Sequence, residues 1–257
     1  MRALIAVLAL VACVGPAPAM AASVQTVAAT PRPADWPTRV KHAEALAKAT
    51  QPEELVVGAA MREMDRNMVS AMRSNEQIHE IEAALPGFSE RYYAAARTKL
   101  EEIFHARLPK MWGAVAEAFA SQMTVAEIDS ATRFFSSPLG AKIVRLQTNN
   151  MDTKSLMEVG LKDGLSDKGP SSEAAASLKS ASVKAAISTM TDLSPSERTA
   201  MIAFGVSAAG RAARQATPLV QKAILDWSTQ HDPAAEAQRA EIAVKVVTEM
   251  KNEQKGK

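Results

Sequence analysis

Two stretches of this chain share one pattern for starting a helix, ending it and starting another. That pattern leaves little room for anything but helices. The first is Met123-Thr-Val-Ala-Glu-Ile-Asp-Ser-Ala-Thr-Arg-Phe-Phe-Ser-Ser-Pro-Leu-Gly140. The second, Leu193-Ser-Pro-Ser-Glu-Arg-Thr-Ala-Met-Ile-Ala-Phe-Gly-Val-Ser-Ala-Ala-Gly210, follows at a constant offset of 70 residues. Thr124 aligns with Ser194, Glu127 with Glu197, Phe134 with Phe204, Ser137 with Ser207 and Gly140 with Gly210. Each match has a local reason. A hydroxyl at Thr124 or Ser194 accepts from the amide three residues on, and a glutamate at that third position reaches back, which makes a capping box. Pro195 stands at a first helical position, where its missing N–H does no harm. Phe134 and Phe204 close short helices and offer a large apolar group to a neighbour. Ser137 is placed to cap a new helix opening at Pro138. Gly140 and Gly210 fall in the first turn of that helix. A helical glycine costs about 1 kcal/mol relative to alanine, so close approach of a neighbour is expected there.

The rest of the chain from Trp36 onward also reads at helical period. Val40, Ala43 and Leu46 share one face, and Thr50-Gln-Pro-Glu53 has the form of a further capping box. Val57, Met61, Met64, Met68 and Met72 form a stripe at three- and four-residue steps, expected to face a core. Pro86-Gly87 breaks the chain. A long helix is expected from about Ser89 to Ala106, with Tyr92, Ala96, Leu100, Ile103 and Phe104 on one face; Pro109 is expected to interrupt it before a helix over 111–122. Three more helical segments are expected at 172–190, 195–227 with a break, and 233–251, the last capped by Asp232. The expected fold is all-α, a multi-helix array or bundle with two related helical halves. Residues 36–165 form the first half and 171–257 the second, with a linker at 163–170. Aromatic residues are only 4% of the chain, which favours helices over strands.

The first 21 residues read as a cleavable secretory signal: Arg2, an apolar run from Ala3 to Val14, then Ala19-Met20-Ala21 as the cleavage site. The apolar run is shorter than the about 20 residues that a membrane-spanning helix needs. Cleavage after Ala21 would leave a flexible leader over 22–35 and a periplasmic protein with no transmembrane span. Leu10-Val11-Ala12-Cys13 offers an alternative, a lipoprotein anchored at Cys13. Cys13 is the chain's only cysteine, so cleavage after Ala21 removes every thiol. Lysine and arginine number 30 against 28 acidic residues, which gives no one-signed field to attract nucleic acid.

The full pattern of capped short helix, aromatic and Ser-Pro-x-Gly resembles the DUF2059 family of exported bacterial proteins. Glu127, Phe134-Phe135, Ser137-Pro138, Gly140 and Lys142 carry the resemblance, with Phe135 where the family often has tyrosine. It covers about 88–160 and is strongest over 119–145. The second copy is degenerate: it lacks the proline and has Gly205 after Phe204. The resemblance implies an all-helical periplasmic module and brings no catalytic residues.

The chemistry-bearing residues form no recognised catalytic pattern. His42, His79, His105 and His231 make no metal-binding spacing, and no phosphate-binding loop or nucleophile elbow occurs. No catalytic, metal or cofactor site is therefore assigned. Adjacent acids such as Glu53-Glu54 and Glu101-Glu102 diverge on a helix and do not converge on one bond. Trp36, Trp112 and Trp227 are expected to anchor helix contacts. The expected function is a non-catalytic helical module that binds a periplasmic protein partner or a hydrophobic ligand. The alternative is a hydrolase or transferase whose site assembles only in three dimensions, from at least two of Glu101, His105, Glu127, Ser137 and Glu197.

Overall fold

The computed structural model describes residues 32–150, 172–229 and 233–255. Within them lie ten α-helices and no strand: α1 (Trp36–Thr50), α2 (Glu53–Ser74), α3 (Glu76–Ala84), α4 (Phe88–Gln122), α5 (Val125–Phe135), α6 (Pro138–Asn150), α7 (Ser172–Asp192), α8 (Pro195–Val206), α9 (Ala208–Thr229) and α10 (Pro233–Lys255). The fold is all-α, as the periodicity requires. The signal segment, most of the leader, the linker at 163–170 and the Asp232 cap lie outside the described residues. The last leader residues turn into α1, where the Trp36 amide donates to the Pro33 carbonyl at 2.9 Å.

Helix α4 is the common wall of the array. Helices α1, α2, α3, α9 and α10 all pack against it. Its C-terminal half presents Leu108, Met111, Val115 and Phe119 to the interior, all at most 1% exposed. Ala43, Leu46 and Ala47 of α1 and Val56 and Met64 of α2 close on that core. So do Leu193, Met201, Phe204, Val220 and Trp227, so both sides of the expected linker share one hydrophobic core. Short helices need this arrangement, because isolated helices of such length are marginal in water. A smaller cluster joins Leu85 and Phe88 to Val246 and Met250 of α10. Arg91 clamps that contact with two bonds to the Glu253 carboxylate at 2.8 and 2.9 Å.

Two local expectations are corrected. Pro109 does not interrupt its helix; α4 runs through it without a break. Proline removes one helical N–H and crowds the preceding turn, but Leu108 and Met111 on either side are fully buried. Packing of both halves of α4 holds the helix together across the defect. The expected capping box at Thr50 is also absent. Thr50 is the last residue of α1, and its hydroxyl donates back to the Leu46 and Ala47 carbonyls at 2.8 and 3.2 Å. The residue before α2 is Pro52, which has no side chain to cap with. Buried Thr50 satisfies its own helix end instead.

The methionine stripe behaves as expected at Val57, Met61 and Met64, which are buried. Met68's side chain lies outside the described residues, and half-buried Met72 reaches a groove described below. Gly87 stands between α3 and α4 with φ of 89°, a left-handed conformation that glycine adopts without penalty. Two of the three tryptophans tie segments together: Trp112 donates to the Gln51 carbonyl at 2.9 Å, and Trp227 donates to that of Arg107 at 3.3 Å.

Candidate ligand groove and the paired motifs

The eleven motif residues fall into two near-identical local structures. Thr124 accepts from the Glu127 amide at 3.4 Å, while the Glu127 carboxylate accepts from the Thr124 amide at 2.8 Å. Ser194 and Glu197 repeat this at 3.3 and 2.8 Å. Both are complete capping boxes. At the far end, the Ser137 hydroxyl donates to the Phe134 carbonyl at 2.6 Å and accepts from the Gly140 amide at 3.1 Å. The Ser207 hydroxyl does the same between Phe204 and Gly210, also at 2.6 and 3.1 Å. Each serine closes one helix and opens the next with a single oxygen. Pro138 and Ala208 are the first residues of the helices so opened.

The glycines are required by this turn. A Cβ on Gly140 would lie 2.1 Å from the Phe134 carbonyl oxygen, and one on Gly210 would lie 2.1 Å from that of Phe204. The neighbour that excludes a side chain is thus the end of the preceding helix.

The two motifs meet. Phe134 stacks on Phe204 with ring centroids 3.9 Å apart and planes 2° from parallel. Phe135 packs edge-on against both rings, at 5.2 and 5.4 Å. Lys142 reaches across to both oxygens of Glu197 at 2.8 Å. That bond, followed by the Ser194 amide, holds the Glu197 carboxyl well below the usual range, at about 2.

Among the described residues, no hydrogen bond or ion pair joins any two of the groups named for an assembled active site. Glu127, Ser137 and Glu197 serve as helix caps. His105 pairs with Glu53 at 2.5 Å, and Glu101 pairs with Arg97 at 3.5 Å. His42 pairs with Asp129 at 2.7 Å, joining α1 to α5; His231 lies outside the described residues. No three His, Cys, Asp or Glu side chains gather as a metal site among the described residues. No described helix is long and apolar enough to cross a membrane.

A different feature emerges where α2, α3 and the start of α4 meet. Met72, Ile78, His79, Glu82, Ser89, Glu90 and Tyr93 line an open, largely apolar cavity of about 460 Å³. Hydrogen bonds of the lining residues brace it. The Glu82 carboxylate accepts from the Gly87 and Ser89 amides at 2.6 and 2.7 Å. Those bonds, led by Ser89, keep its carboxyl below the ordinary carboxylate value. The Tyr93 hydroxyl donates to Asp65 at 2.5 Å, which fixes the ring and raises its ionisation above the ordinary phenol value. Exposed Glu90 at the rim has no hydrogen-bond or ion-pair partner among the described residues. No sequence motif marks this groove, because its lining comes from three helices.

Residues 109–157 match the DUF2059 family model, described as an uncharacterized protein conserved in bacteria. The DUF2059 match includes the whole first motif, from Thr124 to Lys142, and ends before the second. The groove residues also lie outside it. No curated protein and no solved structure matches the chain.

The turn geometry sets opposite outcomes for three glycines. Gly140→Ala and Gly210→Ala should each lose about 1–3 kcal/mol or more in urea unfolding, as overpacked sites do. Gly113→Ala, whose added carbon meets nothing within 4 Å, should gain up to about 1 kcal/mol. A gain at all three positions would contradict the turn described here.

Glu197 gives a pH signature. A carboxyl depressed in the folded chain adds stability above its unfolded value, and this is lost as pH falls toward the folded one. Here that window runs from the ordinary 4.5 down to about 2. The stability advantage of the wild type over Glu197→Gln should therefore shrink across this window. A constant difference in urea midpoint at every pH would refute the Lys142–Glu197 bond.

Proposed function

We propose that this chain is an exported, non-catalytic helical binding module that takes a small apolar ligand in the groove between α2, α3 and α4. The groove itself carries this reading: it combines apolar surface at Met72, Ile78 and the Tyr93 ring with polar groups at its edge, and its about 460 Å³ falls in the range of about 300–1,000 Å³ typical of ligand sites. The signal-like segment at 1–21 supports export to the periplasm. The capping roles of Glu127, Ser137 and Glu197 support a structural rather than a catalytic part for the motif.

Charge narrows the ligand. Unpaired Glu90 stands at the rim, Glu82 and His79 lie in the lining, and α3 also carries exposed Glu76 and Glu80. The nearby cation Arg97 is already paired with Asp65 and Glu101. A ligand with an apolar body and a cationic head suits this rim, and the Tyr93 ring offers a face to such a head.

Fluorescence titration of the full mature chain with a dansyl-tagged long-chain amine, and with the acid of equal chain length, tests the reading. The amine should bind more tightly. Ile78→Glu should abolish binding of both probes. Glu90→Gln should weaken the amine by up to about fivefold, the scale of one exposed ion pair, and leave the acid unchanged or improved. Absence of saturable binding of either probe, or binding untouched by Ile78→Glu, would remove the groove from consideration.

A further inference from the structure

The correspondence between the two motifs extends well beyond the caps. Upstream at the same offset, Met111, Val115, Phe119 and Met123 of the first half align with Ala181, Ala185, Thr189 and Leu193 of the second. All eight are buried, at 4% exposure or less. Downstream, buried Gln147 aligns with buried Thr217. The C-terminal half of α4 with α5 and α6 is therefore the same three-helix succession as α7, α8 and α9.

The two successions also pack reciprocally. The third helix of the first, α6, lies on the first helix of the second, α7. The third helix of the second, α9, lies on the first helix of the first, α4. At the centre, Phe134 stacks on Phe204, its own equivalent. A residue touches its own equivalent only near a two-fold axis, and such an isologous contact is the signature of a symmetric dimer.

We propose that residues 172–229 are a second copy of the module matched by the family, and that the first copy's face around Phe134 and Lys142 is a self-association surface. Its partner is another copy of the same module, supplied here within the same chain. The ion pair supports this. Lys142 meets Glu197, and the first copy holds its equivalent, Glu127, in the same capping geometry. Two first copies would therefore offer each other the Lys142–Glu127 pair in both directions. The present pair forms it once, because Ala212 stands where the second lysine would be. The two copies differ beside the stack: Gly205 stands at the equivalent of Phe135, whose ring packs edge-on against Phe204.

Phe204→Asp in the full chain tests the proposal by breaking the cis stack and opening the face around Phe134. Sedimentation should then show a concentration-dependent doubling of mass, and Phe134→Asp added to it should return the chain to monomer. A folded Phe204→Asp chain that stays monomeric, or a dimer indifferent to Phe134→Asp, would overturn the proposal. If Phe204→Asp loses its helical circular dichroism, a graft of residues 124–142 over 194–212 decides. Two first-copy faces in one chain should then fold as a monomer with one unfolding transition, and a graft that fails to fold counts against self-complementarity.

Discussion

The stack of Phe134 on Phe204 is the contact around which the rest of the structure is arranged. An aromatic pair is worth only about 0.5–1.5 kcal/mol beyond the area it buries, so its importance lies in position. Each ring stands at the end of a short helix whose start is fixed by a capping box and whose end is fixed by one serine. Given those local structures, bringing the rings face to face sets how α5 and α8 approach. The Lys142–Glu197 bond then holds the same approach from the surface.

The bulk of the stability comes from elsewhere, through α4. That helix is buried from Phe104 to Phe119 along one side and receives α1 and α9 on it. Arg107 and Trp227 lock the α4–α9 contact: Arg107 donates to the Trp227 carbonyl at 2.9 Å, the indole donates back, and the guanidinium lies 5.2 Å above the ring. Both halves of the chain thereby complete one core. Removing the second half would leave α4 with an uncovered apolar side.

What could be read from sequence was what is local. The capping boxes, the Ser137 and Ser207 turns and the need for glycine at 140 and 210 depend on atoms within a few residues, and all stand where the pattern places them. The errors at Thr50 and Pro109 came from the same local rules where a competing term was stronger. Thr50 is buried and bonds to its own helix, and Pro109 is carried through by core residues on both sides. The groove was invisible because Met72, Ile78 and Tyr93 come from three helices and are united only by packing. The Phe134–Phe204 pairing was equally hidden, although the matching offset had marked both residues.

The central claim is that the two halves form one cooperative core through α4 and the stacked phenylalanines. Equilibrium urea unfolding of two single-tryptophan variants, one keeping Trp112 in the first half and one keeping Trp227 in the second, tests it most directly. A shared core predicts that both fluorescence transitions coincide with the loss of helical circular dichroism. A Trp227 transition completed while Trp112 and most of the helical signal remain native would contradict it.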